Sequence, residues 1–166
     1  MAAFTETTTA LALGRLFEKD EADPREVTAF YLDRIRAEDP AHRIFTRLTE
    51  TRARAEADAA ADRARRGLRR HALDGVPLSW KDLFDTAGTV TAAGSLALKD
   101  RRPERDAEVL ARATRAGTIC LGKTAMTEFA FSGLGINPKC GTPANPFDDA
   151  VERVPGGSSA GAGVSV

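Results

Sequence analysis

Eight consecutive residues, Gly156-Gly157-Ser158-Ser159-Ala160-Gly161-Ala162-Gly163, hold four glycines and two serines, with Arg153-Val154-Pro155 in front of them. No other stretch narrows the fold so much. Adjacent glycines permit positive φ and let backbone N–H groups come close to another group. The run is therefore either a flexible Gly/Ser linker or a tight turn that launches a helix. Context favours the turn. An ordered strand and helix pattern leads into it, and Lys81 lies upstream on an apolar strand.

The 166 residues suffice for one core. Residues 8–18 read as a helix with Leu13, Leu16 and Phe17 on one side. A second helix has Asp23 as N-cap, Pro24 at N1 and Glu26 at N3, a capping-box arrangement. Val27, Phe30, Tyr31 and Ile35 form its apolar stripe, and Asp39-Pro40 ends it. A short strand over 43–48 precedes a helix over 50–66, whose small-sided face is Ala53, Ala57, Ala60, Ala61 and Ala64 and whose stop is Gly67.

The character changes at Gly75. Residues 76–84 form a strand-like run turned at Asp85, and 89–95 a small-residue loop. A helix over 104–116 faces inward through Val109, Leu110 and Ala113 and stops at Gly117, and 118–122 is a buried strand. A helix-to-strand connection this tight is half of a βαβ unit and predicts a parallel or mixed sheet. A short helix over 124–131 and a loop-rich stretch over 133–155 follow. The expected class is α/β, with a mainly helical N-terminal region (1–72) ahead of the start of an α/β core (73–166).

Lys+Arg and Asp+Glu balance at 24 each, so no global field draws the chain to nucleic acid or anionic lipid. The cluster Arg63, Arg65, Arg66, Arg69, Arg70 and His71 reads as a solvated helix end where cations suit the macrodipole. It lacks the interleaved aromatics of a nucleic-acid patch. Two cysteines are too few for a disulfide framework and lack metal spacing; Cys120 reads as a small core residue and Cys140 as a loop thiol. No signal-peptide pattern opens the chain and nothing approaches a membrane span, so the expected compartment is the cytoplasm.

Lys81 has Leu78, Trp80, Leu83 and Phe84 as neighbours. The ordinary place for such a lysine is a surface edge. In a dry setting, desolvation favours the neutral amine, and a neutral amine beside a serine hydroxyl can accept its proton without any histidine. His42 and His71 lie in polar stretches, which leaves a Ser/His/Asp triad without a base. Neither nucleotide motif fits. Gly157-Ser158-Ser159-Ala160-Gly161 lacks the Lys-Ser/Thr of a P-loop, and Gly161-Ala162-Gly163 lacks the third glycine of a dinucleotide fingerprint.

The order and spacing of several motifs then add up. These are Gly75-Val76-Pro77-Leu78-Ser79-Trp80-Lys81-Asp82, Thr91-Ala92-Ala93-Gly94-Ser95, and Gly122-Lys123-Thr124 with Glu128-Phe129-Ala130. After them come Asn137, Gly141, Asn145-Pro146 and Pro155-Gly156-Gly157-Ser158-Ser159-Ala160-Gly161. Together they resemble the amidase signature family, from about Thr8 to the last residue. The resemblance implies cleavage or transfer of amide bonds by a Ser–Ser–Lys triad on a mixed sheet wrapped in helices. It implies that Lys81 is the general base and that Ser158, after a cis peptide from Gly157, is the bridging serine that relays a proton to it. Ser159 would support the site by hydrogen bonding, the alternative being a plain helix N-cap. Ala130, Phe131 and Ser132 resemble the loop beside the substrate.

A small-molecule amide is the implied substrate, with no metal or organic cofactor, no direct nucleic-acid contact and no membrane, and a homodimer for the full-length parent. Ala160 stands where the pattern usually has glycine. The family's acylating serine lies in a further Gly-rich turn beyond the serine pair, and Ser165, on the continuing helix, does not replace it. The chain is therefore expected to be a truncated N-terminal part, inactive by itself and marginally folded. Two alternatives stand beside the hydrolase: the amidase subunit of a glutamine-dependent tRNA amidotransferase, and a non-catalytic remnant or binding module.

Overall fold

The computed structural model describes residues 3–148 and 150–166. Among these are five α-helices and three strands: α1 (Ala10–Glu18), α2 (Pro24–Glu38), β1 (Phe45–Leu48), α3 (Glu50–Arg65), β2 (Pro77–Lys81), α4 (Glu108–Arg115), β3 (Ile119–Thr124) and α5 (Ala160–Val164). The class is α/β. The strands form one sheet in the order β1-β3-β2. β1 runs antiparallel to β3, with Phe45 opposite Thr124, Arg47 opposite Lys123 and Leu48 opposite Gly122. The flanking bonds Ile119 N–H to Val76 O (3.0 Å) and Asp82 N–H to Thr124 O (3.0 Å) advance in one sense along β2 and β3, as in a parallel pair. The sheet is thus mixed.

The chain forms two compact units of interleaved segments. One comprises residues up to Arg34, Thr49–Leu78 and Ala111–Leu121; the other comprises Ile35–Leu48, Ser79–Leu110 and Gly122–Val166. In the first unit Leu13, Phe17, Val27 and Val76 make a buried cluster, and Ala53, Ala57, Ala60 and Ala61 turn the small face of α3 inward. The Asp23 carboxylate caps α2 by accepting the Arg25 N–H at 2.8 Å. The buried stripe of α2 is Val27, Thr28 and Leu32, one row away from the expected Phe30 and Tyr31, which stay half-exposed and meet edge to face at 5.3 Å.

The basic cluster is not simply a solvated helix end. Arg63 pairs with the buried carboxylate of Asp74 at 2.5 and 2.9 Å, and the Arg70 N–H donates to the same group at 2.8 Å. An acidic residue lying later in the sequence folds the cluster back on itself, which composition could not reveal.

In the second unit Asp39 does more than end a helix. Its buried carboxylate accepts the N–H groups of Arg43 (2.7 Å), Ile44 (3.0 Å) and Phe45 (2.7 Å), and so aims the chain into β1. At Gly122 a Cβ would strike the Arg47 carbonyl across the sheet, so β1 and β3 approach at a glycine.

Two expected helices differ from those observed. Residues 124–131 are not helical, because β3 continues to Thr124 and the chain stays pinned by long-range bonds: Ala125 N–H to Ile44 O (2.8 Å) and Thr127 N–H to Ser158 O (3.2 Å). What remains is one 3₁₀ turn, Glu128–Ala130, with φ of 49° at Phe129 and 59° at Ala130. The helix expected from 104 starts at Glu108, because Asp106 accepts the Ala87 N–H at 2.8 Å and Ala107 N–H bonds to Asp85 O at 2.8 Å. With that start Leu110 is buried and Val109 faces solvent. No helix among the described residues is long and apolar enough to cross a membrane.

Candidate active site

Lys81 is the last residue of β2, and Ser158 lies two residues before α5. Although 77 positions apart, Lys81 Nζ and Ser158 Oγ are 2.6 Å from each other. An ammonium donates along that line; a neutral amine accepts the hydroxyl proton along it. Lys81 is half-buried rather than at an open edge, with the Trp80 and Phe84 rings beside it packed edge to face at 5.6 Å. Burial lowers the affinity of its amine for a proton below the ordinary lysine range.

The serine is seated by main chain. The Gly157–Ser158 peptide is cis. Gly157 N–H bonds to Gly133 O at 2.8 Å, and Gly161 N–H at the start of α5 bonds to Ala125 O at 2.8 Å. A Cβ on Gly157 would come within 2.7 Å of Gly135 N and 2.9 Å of Ser132 O. The two Gly-rich loops therefore touch backbone to backbone.

Gly157 and Ser132 are thus next to Ser158, while other expected site residues are not engaged with the pair. Ser159 occupies the N-cap position of α5 but is exposed, and its side chain makes no capping bond. Ala130 ends the 3₁₀ turn and Phe131 follows it, 95% exposed. Ser132 is held by Thr127, whose hydroxyl donates to Ser132 O at 3.2 Å and accepts its N–H at 3.3 Å. A cleft of about 360 Å³ opens beside Ser132, lined by Thr127, Phe131, Ile136, Asn137 and Lys139 among others, with neither Lys81 nor Ser158 in its walls.

Behind the cleft the buried Asn137 side chain joins three backbone segments. Its amide donates to Gly94 O (2.7 Å) and Met126 O (2.9 Å), and its carbonyl accepts from Lys139 N (3.2 Å) and Cys140 N (3.0 Å). Glu128 accepts the Ser95 hydroxyl at 2.7 Å, a bond that lowers its carboxyl below the usual range. Cys140 is half-buried with Sγ 3.3 Å from Gly94 O, and burial raises its thiol.

Sequence reasoning overlooked one element, a completely buried lysine, Lys123, beside the buried Asp82 at 3.2 Å. Both lie in motifs already quoted. The available signals were a lysine directly after the apolar run 119–122 and an aspartate directly after Lys81.

The lowered Lys81 makes a checkable statement about stability. Its folded-state value lies below the ordinary 10.5, so between the two values the unfolded chain binds more protons, and stability rises with pH through that window. Below the folded-state value the penalty is constant. Lys81→Met is expected to remove this increment. Urea melts at a series of pH values up to 10.5 should show the wild-type midpoint climbing relative to that of the variant, and parallel curves would refute it.

A family model described as Amidase matches residues 26–166. Among curated proteins, the chain is 40% identical over 158 residues to the A subunit of the glutamyl-tRNA(Gln) amidotransferase of Acidothermus cellulolyticus, covering 95% of this chain and 31% of that protein. It is 44% identical over 141 residues to the protein of the same name from Anaeromyxobacter dehalogenans, covering 85% and 28%. Among solved structures, the native peptide amidase from Stenotrophomonas maltophilia matches with a TM-score of 0.84 at 35% identity, over 96% of this chain and 34% of that one. A structure described as a vestigial protein complex that reveals the origins of an s-triazine catabolic enzyme matches with a TM-score of 0.89 at 34% identity, over 95% and 34%. The chain spans about a third of the length of these relatives.

Proposed function

The chain belongs to the amidase family, and from that premise we propose that its protein hydrolyses amide C–N bonds, with Lys81 as proton acceptor and Ser158 as the relay next to it. The observation that carries the reading is the 2.6 Å contact between a half-buried amine and a serine hydroxyl. Lowering the amine's proton affinity raises the neutral fraction that can act as a base.

In the proposed reaction a serine hydroxyl attacks the amide carbonyl. Its proton passes to Ser158 as the Ser158 proton passes to Lys81. The same path in reverse delivers a proton to the departing amine, and water then releases the acid. Gly157 seats the relay, Ser159 supports the site as a hydrogen-bonding hydroxyl next to it, and the Ala130-Phe131-Ser132 loop flanks the amide. We assign the reaction to a homodimeric protein of the cytoplasm acting on a small amide; the thiols Cys120 and Cys140, neither in a disulfide, suit a reducing compartment.

The test is a chimera in which this chain replaces the segment it matches in the Stenotrophomonas maltophilia peptide amidase. Hydrolysis of small aryl or aliphatic amides by a folded chimera supports the reading, and a folded chimera without turnover removes it. The alternative weighed from the sequence, the amidase subunit of a tRNA amidotransferase whose curated members resemble this chain, is not the favoured reading. Preference for glutamine in the same assay, with release of ammonia, would select it.

A further inference from the structure

The proposed chemistry leaves the fully buried lysine, Lys123, without a task. Lys123 is 0% exposed, and its Nζ donates to Phe84 O at 2.7 Å and Thr91 Oγ1 at 2.9 Å while facing Asp82 Oδ1 at 3.2 Å. Asp82 is the residue after Lys81; its buried Oδ1 accepts no hydrogen bond and meets only the Lys123 charge, while the rest of it is held by main chain. Its N–H donates to Thr124 O (3.0 Å), its carbonyl accepts from Ala93 N (3.0 Å), and its Oδ2 accepts from Ala92 N (3.2 Å). One ammonium thus gathers the end of β2, the turn at Phe84 and the loop at Thr91.

We propose that Asp82 and Lys123 are positioning residues for Lys81, a charge-balanced strut that fixes the strand end and leaves the neighbouring amine in a field neutral overall. The proposal rests on Lys81 being the proton acceptor. Opposite charges held together in a dry interior cancel at a neighbour, whereas either one alone acts strongly through the low dielectric. Burial is what lowers the Lys81 amine below its ordinary value. The other charged groups around the pair are balanced too. Asp85 is held low first by its hydrogen bond from Arg101 and also feels Lys123. Glu128 has Ser95 and Lys139, and the Cys140 thiol, raised first by burial and then by Asp82 and Glu128, stays neutral.

The experiment titrates ¹³Cε-labelled lysine resonances in the 166-residue chain. Its lysines are Lys19, Lys81, Lys99, Lys123 and Lys139, and the exposed Lys99 and Lys139 serve as references. Asp82→Asn removes the carboxylate that faces the Lys123 ammonium and is expected to lower the Lys81 midpoint by about one pH unit. Lys123→Met leaves the carboxylate unbalanced and raises the midpoint by a similar amount, and the double variant returns it to the wild-type value. A merely structural strut would let both single variants drift toward the exposed lysines, and shifts of one sign overturn the proposal. If a single variant fails to fold, the double variant, which carries no unpaired charge, decides: a wild-type midpoint supports the pair and an exposed-lysine midpoint overturns it. Lys81 titrating with Lys99 in the wild-type chain would overturn the base assignment itself, and this proposal with it.

Discussion

In the amidase chimera, Lys81→Ala is expected to cut kcat/KM for a simple amide by roughly 10²–10⁴-fold, the range a positioned general base supplies. The loss should fall on kcat, with KM within a few-fold of the parent, because an amine that only moves protons contributes little to ground-state binding. Ser158→Ala should cost a similar factor. The two side chains act through one 2.6 Å contact, so the double variant should be scarcely worse than either single one, as for groups that work as a unit. Lys81→Arg should not rescue, since a guanidinium stays protonated and cannot accept. Steady-state kinetics on the parent chimera and these four variants settles the matter. Additive losses, or a Lys81→Ala chimera within tenfold of its parent, would remove lysine from the chemistry.

The second large effect concerns folding. Lys123→Met should destabilise the chain by about 3–5 kcal/mol, the cost of leaving one member of a buried ion pair uncompensated. Neither side chain can turn to water for relief, with exposures of 0% at Lys123 and 3% at Asp82. For a chain of this size that corresponds to a drop in Tm on the order of 10 °C. Adding Asp82→Asn removes the stranded charge and should recover part of the loss, giving a coupling of about 1–3 kcal/mol between the sites. Thermal or urea melts of the single and double variants measure it directly. A Lys123→Met chain as stable as wild type would mean the ammonium has no structural weight.

How much could be read from residue order depended on where the controlling contacts lie. Helices held by local contacts were legible: the Asp23 cap and the alanine face of α3 follow from neighbours a few positions away. Lys81 stands out as a lysine among apolar residues, whereas it takes the family resemblance to pick Ser158 from its pair of serines. Residues 124–131 were read as helix and are not. Their conformation is dictated by Ile44 and Ser158, partners far along the chain that local propensity does not see. The phase of α4 failed for the same reason, since Asp85 and Asp106 hold the preceding turn. Lys123 was in plain view but its burial was not, because nothing in a sequence says which aspartate will face which lysine.

The meeting of Gly135 with Gly156 and Gly157 has a consequence for how this surface can change. Only the Pro155 ring adds a side chain to that meeting, so the hydroxyl at 158 takes its bearings mainly from bare peptide. Phe131, Leu134 and Ile136 belong to the neighbouring loop, where Phe131 and Ile136 line the cleft. Exchanging them would alter what the cleft displays while the reactive contact keeps its alignment.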